Sequence, residues 1–213
     1  MTYLLFDLDG TISDPLDGIG NSINYALESL SFKKHSLSDL SSYIGPPLDE
    51  TFKILTGLKN DLLISQLIVK YRERYGQIGY SENSLYPGIK SAIHTLKKYG
   101  FNLGICTSKR SDFADKILRM FEIRDHFKFI SGGDIGIHKS QQIESLLKDR
   151  IITSNALMIG DRGIDIIAAK KNNVGSIGVL WGYGSRTELE SDSPLLILKK
   201  TEGLKELEKF LVK

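Results

Sequence analysis

The chain has 213 residues, 41% of them hydrophobic, and its 28 Lys and Arg against 26 Asp and Glu give a formal net charge of +2. That length and apolar fraction suit one large globular domain, or a core with a smaller module. The near-balance of charge argues against a nucleic acid polymer as the main partner, which needs a concentrated basic face, and the single cysteine, Cys106, cannot form an internal disulfide.

The first predicted element is a strand in "TYLLFDLDGTISD". Its apolar run from Tyr3 to Phe6 ends in Asp7 and Asp9, two acids on the same side of an extended chain. Like charges this close raise each other's pKa and cost stability unless something offsets them. The segments "LDGIGNSINYALESLSF", "LDETFKILTGL" and "DLLISQLIVKYRERYGQIG" then read as helices with no strand among them. A helical block of roughly 65 residues is too long for a simple crossover, so residues 16–81 are expected to form an inserted helical subdomain.

From residue 88 the pattern alternates. "GIKSAIHTLKKYG" is a helix and "FNLGICTS" a strand. "SDFADKILRMF" is a helix with Ser111 as its expected N-cap. "HFKFIS", "ALMIG" and "VGSIGVL" are strands separated by the helices "SQQIESLLKD" and "GIDIIAAKKN"; "LLIL" adds a further strand and "EGLKELEKFL" a closing helix. Short apolar strands alternating with helices predict an α/β fold: a Rossmann-like parallel sheet covered on both faces, built from residues 1–15 and 82–213, with the helical insertion as a cap. No segment approaches 18 uninterrupted apolar residues, and the start of the chain has no basic region followed by an apolar stretch and cleavage site. A soluble cytoplasmic protein, monomer or homodimer, with no membrane partner is expected.

Ligands of open parallel sheets bind beyond the carboxyl ends of the strands. Those ends carry Asp7 and Asp9, then Thr107, Ser108 and Lys109, then a glycine-rich turn leading to Lys139, then "GDRGID" with Asp161 and Asp165. Hard carboxylate oxygens suit Mg²⁺, which takes one or two carboxylates plus waters and a substrate phosphate. A hydroxyl and an ammonium suit the remaining phosphate oxygens.

With "DLDGT", a threonine at the second strand end, a lysine opening a helix, and "GDRGID" in this order, the chain resembles the haloacid dehalogenase superfamily from residue 4 to about 185. "IGPPLDETF", "LYPGI" and "LWGYGS" are similar to its phosphoglycolate phosphatase-like branch, which has a helical cap inserted after the first motif. The resemblance implies a phosphatase acting on a small phosphate ester. Asp7 would be the nucleophile and Asp9 the acid and then the base. Mg²⁺ would be held by Asp7, the backbone carbonyl of Asp9 and Asp161, with Asp165 on the metal or supporting it. Thr107, Ser108 and Lys139 would bind the transferring phosphoryl group. The second acid, Asp9, is absent from family members that dehalogenate. Many relatives carry proline directly after the motif lysine; here Ser140 follows Lys139, as in a subset that includes 5'-nucleotidases.

Blander readings stand beside these. Asp161 and Asp165 also fit an N-cap and a first-turn acid. Lys109 is either a substrate contact or an ordinary solvated lysine. His35, His94, His126 and His138 show no paired ligand spacing, and Cys106 reads as a buried inert thiol. Arg72 and Arg74 do not share a helix face, so at most one points to a substrate. The loop Tyr43–Leu48, stiffened by two prolines, suits closure over a site or a rigid turn, and Trp181 and Tyr183 either flank an entrance or cover the core. Other functions compatible with the residues are a sugar phosphomutase and a non-catalytic phosphate-responsive regulatory module.

Overall fold

A computed structural model of the chain describes residues 2–133 and 136–211. The chain divides into two compact units, Met1–Asp14 with Leu85–Lys213, and Pro15–Ser84.

The first unit is built on β1 (Tyr3–Phe6), whose Leu4, Leu5 and Phe6 are all fully buried. Burial on both faces is what a continuous apolar strand in a parallel sheet requires. The chain leaves the unit through the two-residue strand β2 (Ser13–Asp14). The second unit then carries helices α1 (Leu16–Ser29), α2 (Leu37–Leu40), α3 (Leu48–Thr56) and α4 (Asp61–Gln77). No strand occurs between residues 16 and 81. The turn after α4 packs closely on α1: a Cβ on Gly18 would lie 2.0 Å from the Gly79 carbonyl oxygen. Asn60 starts α4 by accepting hydrogen bonds from the backbone N–H groups of Leu62 and Leu63. Arg74 donates two bonds to Glu82, at 2.8 and 2.9 Å, and one to Ser22 at 3.2 Å, so its side chain is engaged inside the helical unit.

The chain re-enters the first unit at β3 (Ser84–Leu85) and continues through α5 (Ile89–Lys98), β4 (Asn102–Thr107), α6 (Ser111–Met120) and β5 (Phe127–Gly132). It then runs through α7 (Lys139–Lys148), β6 (Leu157–Gly160), α8 (Gly163–Lys171), β7 (Gly175–Val179), α9 (Arg186–Glu190), β8 (Leu196–Leu198) and α10 (Leu207–Leu211). The six-stranded sheet has the order β5-β4-β1-β6-β7-β8, and every pair is parallel. β1 is therefore the strand at which the order reverses, with β4 on one side and β6 on the other. The carboxyl end of such a strand opens onto the crevice where ligands of doubly wound sheets bind. Under one face, Leu5, Cys106 and Met158 from three adjacent strands pack with Ile143, Leu146, Ala168 and Ala169 from α7 and α8.

Two local expectations need correction. The N-cap of α6 is Arg110, not Ser111. The Ser111 hydroxyl instead accepts a hydrogen bond from the Gly132 N–H at 3.1 Å, tying the start of α6 to the end of β5. The closing helix is broken into a 3-10 turn at Thr201–Glu206 followed by α10. Gly203, whose N–H bonds back to Lys200, costs a regular helix stability at that point. Among the described residues no helix is long and apolar enough to cross a membrane.

Leu5, on the middle one of the three strands, belongs to this buried cluster. Leu5→Ala should cost about 2–5 kcal/mol of stability, read from urea unfolding midpoints at constant slope. A loss below about 1 kcal/mol would mean the site collapses freely around the deletion.

Candidate active site

The site begins where β1 stops being a strand. Asp7 continues the ladder by one bond, donating its N–H to the Ile159 carbonyl at 2.9 Å. Leu8 is fully buried and Asp7 is 4% exposed, so the alternation of an extended chain sends the two to opposite sides. The Leu8 carbonyl then accepts hydrogen bonds from the N–H groups of Thr11, Ile12 and Ser13, which closes a tight loop. Gly10 in that loop has φ +80°, and a Cβ there would lie 2.2 Å from Asp161 Oδ2. Both the backbone conformation and the space require glycine.

Asp7, Asp161 and Asp165 are all buried, and one carboxylate oxygen from each lies within 4.8 Å of the others. The register explains the meeting: Phe6 pairs with Ile159, so the residues after β1 and β6 leave the sheet side by side. The Lys139 ammonium, at the first position of α7, lies 2.9 Å from Asp7 Oδ2 and donates to Asp165 Oδ1. Asp161 accepts from the Thr11 hydroxyl at 3.1 Å and from the Tyr183 N–H at 2.8 Å. Asp165 Oδ2 accepts from the Arg162 N–H at 3.0 Å. The helix-capping role of Asp165 and its place in the cluster are thus held by the same side chain.

Electrostatics follow the crowding. Burial, with Asp165 and Asp7 adding to it, pushes Asp161 up to about 8. Burial also raises Asp165, against the pull of Lys139. Burial works against the charge on Lys139, but Asp165 and Asp7 more than offset it and hold its pKa above the ordinary lysine value. Three carboxylates facing one ammonium form a set of hard oxygen donors with excess negative charge. That donor set fits a divalent cation of the Mg²⁺ or Ca²⁺ kind.

Asp9 stands outside this cluster. One of its oxygens lies 2.8 Å from the Lys109 ammonium, and the other, Oδ1, is buried without a hydrogen-bond partner among the described residues. Burial raises its pKa more than Lys109 lowers it. Thr107 ends β4, 1% exposed, and its hydroxyl accepts from the Lys109 N–H at 3.3 Å. Ser108 on the same turn is exposed.

Several supporting residues escape a reading of the chain alone. Gln142, three positions after Lys139 on α7, donates from Nε2 to the Thr107 carbonyl at 3.1 Å and accepts from Cys106 Sγ and the Ser131 hydroxyl. Its signal is a polar residue on the face that carries Ile143 and Leu146. The Cys106 thiol is pushed up to about 12 by burial and is inert. Glu188 of α9 accepts from the Gly163 N–H at 2.7 Å and from Arg162 Nε at 2.9 Å, bracing the start of α8. The Lys109–Asp9 pair and the hold of the 181–184 loop on Asp161 leave no signature in local spacing.

Residues 4–179 match the model of the haloacid dehalogenase-like hydrolase family. The chain is 37% identical over 195 residues to a 5'-nucleotidase of Pseudomonas aeruginosa, covering 90% of this chain and 88% of that one. It is 32% identical to the tyrosine-protein kinase PtkA of Mycobacterium tuberculosis over 91% of this chain and 67% of that one. A phosphoglycolate phosphatase of Aquifex aeolicus is 30% identical, with 97% and 96% covered. The fold superposes on the crystal structure of a predicted phosphatase from Clostridium acetobutylicum with a TM-score of 0.91 at 35% identity, covering 100% and 99% of the two chains. The chain belongs to the haloacid dehalogenase-like hydrolases, and within them to the phosphoric monoester hydrolases.

Asp161 gives a test of the crowding. It holds its proton to about pH 8 when folded, against 3.8 for the ordinary carboxyl. Between those values the native state binds the extra proton, so this contribution to stability is full below pH 3.8 and is lost as pH rises through 8. In Asp161→Asn the amide oxygen can accept from Tyr183 N–H and the amide NH₂ can donate to Thr11. With chelator present, that variant should be more stable than wild type at pH 8.5, with the gap narrower at pH 5, by urea unfolding. A variant less stable than wild type at both pH values would overturn the account.

Proposed function

We propose that this chain is a Mg²⁺-dependent phosphatase of small phosphate monoesters that works through an aspartyl-phosphate on Asp7. The observation that carries the reading is the cluster of Asp7, Asp161 and Asp165 with the Lys139 ammonium against two of them. Mg²⁺ would be held by Asp7, Asp161 and the backbone carbonyl of Asp9, with Asp165 on the metal or supporting it. Bound there, it would offset the charge of the substrate phosphate and of the carboxylates.

Asp7 attacks phosphorus, forming the Asp7 O–P bond as the bond from phosphorus to the leaving oxygen breaks. Lys139, paired with Asp7 Oδ2, fixes the orientation of the attacking carboxylate. Asp9, held toward its neutral form by burial, gives its proton to the leaving oxygen. The alcohol departs. Asp9, now ionised, takes a proton from a water whose oxygen attacks phosphorus, the Asp7 O–P bond breaks, and inorganic phosphate leaves. Thr107, with Ser108 beside it, and Lys139 offset the charge on the phosphoryl oxygens.

We read the helical unit as the part of the chain that selects the leaving group. Its loop Tyr43–Leu48 pairs an aromatic ring with Gly45, at φ +105°, and two prolines, and carries no acid or base. Such a loop stacks on a flat group better than it binds a small carboxylate. Together with the likeness to a 5'-nucleotidase, this favours a 5'-nucleotide-like substrate over phosphoglycolate. Small-molecule phosphate esters are thus the partners of this site.

A panel of phosphate monoesters including 5'-nucleotides and phosphoglycolate, assayed with Mg²⁺, tests the reading. Release of phosphate should be highest with nucleotides, abolished by EDTA, restored by Mg²⁺ and poorly supported by Ca²⁺. Asp7→Asn should lose roughly 10³-fold or more in turnover while keeping its fold. Near-normal hydrolysis by that variant would overturn the nucleophile; equal rates with and without chelator would overturn the metal. A preference for phosphoglycolate would overturn the substrate alone. Conversion to an isomeric sugar phosphate would indicate a phosphomutase instead, and a phosphorylated chain without turnover a regulatory module.

A further inference from the structure

The segment after β7 does more than cover the core. Trp181 Nε1 donates to the Thr11 carbonyl at 3.0 Å, and the Thr11 hydroxyl in turn donates to Asp161. The Tyr183 N–H donates directly to Asp161 Oδ2. The glycines on either side of Tyr183 make this approach possible. A Cβ on Gly182 would lie 2.2 Å from the Gly10 carbonyl oxygen and 2.4 Å from Asp161 Oδ2, and one on Gly184 would lie 1.8 Å from the Asp161 carbonyl oxygen. Loop 181–184 is therefore moulded onto Asp161.

The other end of Tyr183 points elsewhere. Its hydroxyl donates to the carboxylate of Asp14 and shares a hydrogen bond with the hydroxyl of Tyr86. Tyr86 is fixed in turn by its N–H on the Ile12 carbonyl at 3.2 Å. Asp14 is the last residue of the first unit before the chain departs, and Tyr86 is the second residue after it returns at Leu85. Asp14, Tyr86 and Tyr183 are far apart in sequence, yet all three hydroxyl and carboxylate groups meet at one point of the core unit.

We propose that Tyr183 is a positioning residue: its backbone N–H orients the Asp161 carboxylate for the divalent cation, and its hydroxyl anchors that loop to the two chain crossings at Asp14 and Tyr86. The hydroxyl contacts of Tyr183 therefore help to hold the N–H against Asp161, and losing them should weaken the hold on that carboxylate. The proposal rests on the reading of Asp161 as a cation ligand given above.

Tyr183→Phe tests it, because it deletes the hydroxyl and leaves the N–H that touches Asp161. Titration calorimetry of Mg²⁺ into the full chain should find affinity weakened by about 10-fold, the scale of losing an outer partner of a metal ligand. Asp14→Ala should weaken it similarly, the double variant should be no weaker than the worse single, and Asp14→Asn, which keeps an acceptor oxygen, should recover most of the affinity. A hydroxyl that merely packs would lower the melting temperature and leave Mg²⁺ affinity unchanged. Should Tyr183→Phe fail to fold, Asp14→Ala and Asp14→Asn carry the same comparison. Mg²⁺ affinity within twofold of wild type in Tyr183→Phe, or additive effects in the double variant, overturns the proposal while leaving the cation site standing. A wild type that binds no Mg²⁺ overturns both.

Discussion

The ammonium of Lys139 lies against Asp7 and Asp165 in a place from which water is excluded, with Asp161 close by. Taking such charges out of water costs several kcal/mol per ion unless partners and hydrogen bonds offset it. Each member of this group comes from a different element, the ends of β1 and β6 and the starts of α7 and α8. The group is satisfied only if all four arrive together. A parallel sheet meets that demand with little else required, because its register brings strand ends side by side and its crossovers return a helix start to the same edge. The apolar cluster of Leu5, Cys106, Met158 and Ile143 beneath them supplies the rigidity that keeps the arrangement from relaxing.

Around this group lies a ring of residues whose work is to hold it. Thr11 and Tyr183 fix Asp161; Arg162 N–H fixes Asp165; Glu188 braces the turn between them; Gln142 joins the helix of Lys139 to the strand end at Thr107. The raised pKa of Asp161 marks where the arrangement costs stability, and the close approaches at Gly10 and Gly182 mark where it leaves no room for a side chain. Sites that must carry unusual charge are built this way: the strained groups are few, and the groups that restrain them are many.

How much of this was legible in the chain divides along physical lines. The sheet, the helical insertion and the positions of Asp7, Thr107, Lys139, Asp161 and Asp165 rest on local periodicity and on the rule that loops follow strand ends, so they could be read directly. The acidic pair at the start was legible as a pair, but not that its members part company, Asp7 to Lys139 and Asp9 to Lys109. That depends on the tight turn that follows β1 and on what the turn after β4 and the start of α7 bring from 100 or more residues away. Ser111 illustrates the converse. Its composition suited an N-cap, but the neighbouring strand end at Gly132 offers its N–H to the same oxygen, and tertiary contact overrides local preference. Trp181 and Tyr183 were legible only as aromatic residues in a glycine-rich loop, because nothing local says which carbonyl or carboxylate they will meet.

The pairing of Asp9 with Lys109 bears on the two halves of the proposed reaction. As acid, Asp9 must hold a proton; as base, it must be free of one. Burial alone would favour the neutral form strongly, and an ammonium alone would favour the ionised form. Here the two act on one carboxyl in opposite directions, with burial the larger. Among the described residues Oδ1 is buried and accepts no hydrogen bond, so no second donor adds to the pull of Lys109 toward the ionised form. Lys109, on the turn that also presents Thr107, can then stabilise the carboxylate left when the proton departs. A group that has to change state within one turnover is better served by opposed influences than by a single strong one, and this site places both on Asp9 from different elements of the same sheet edge.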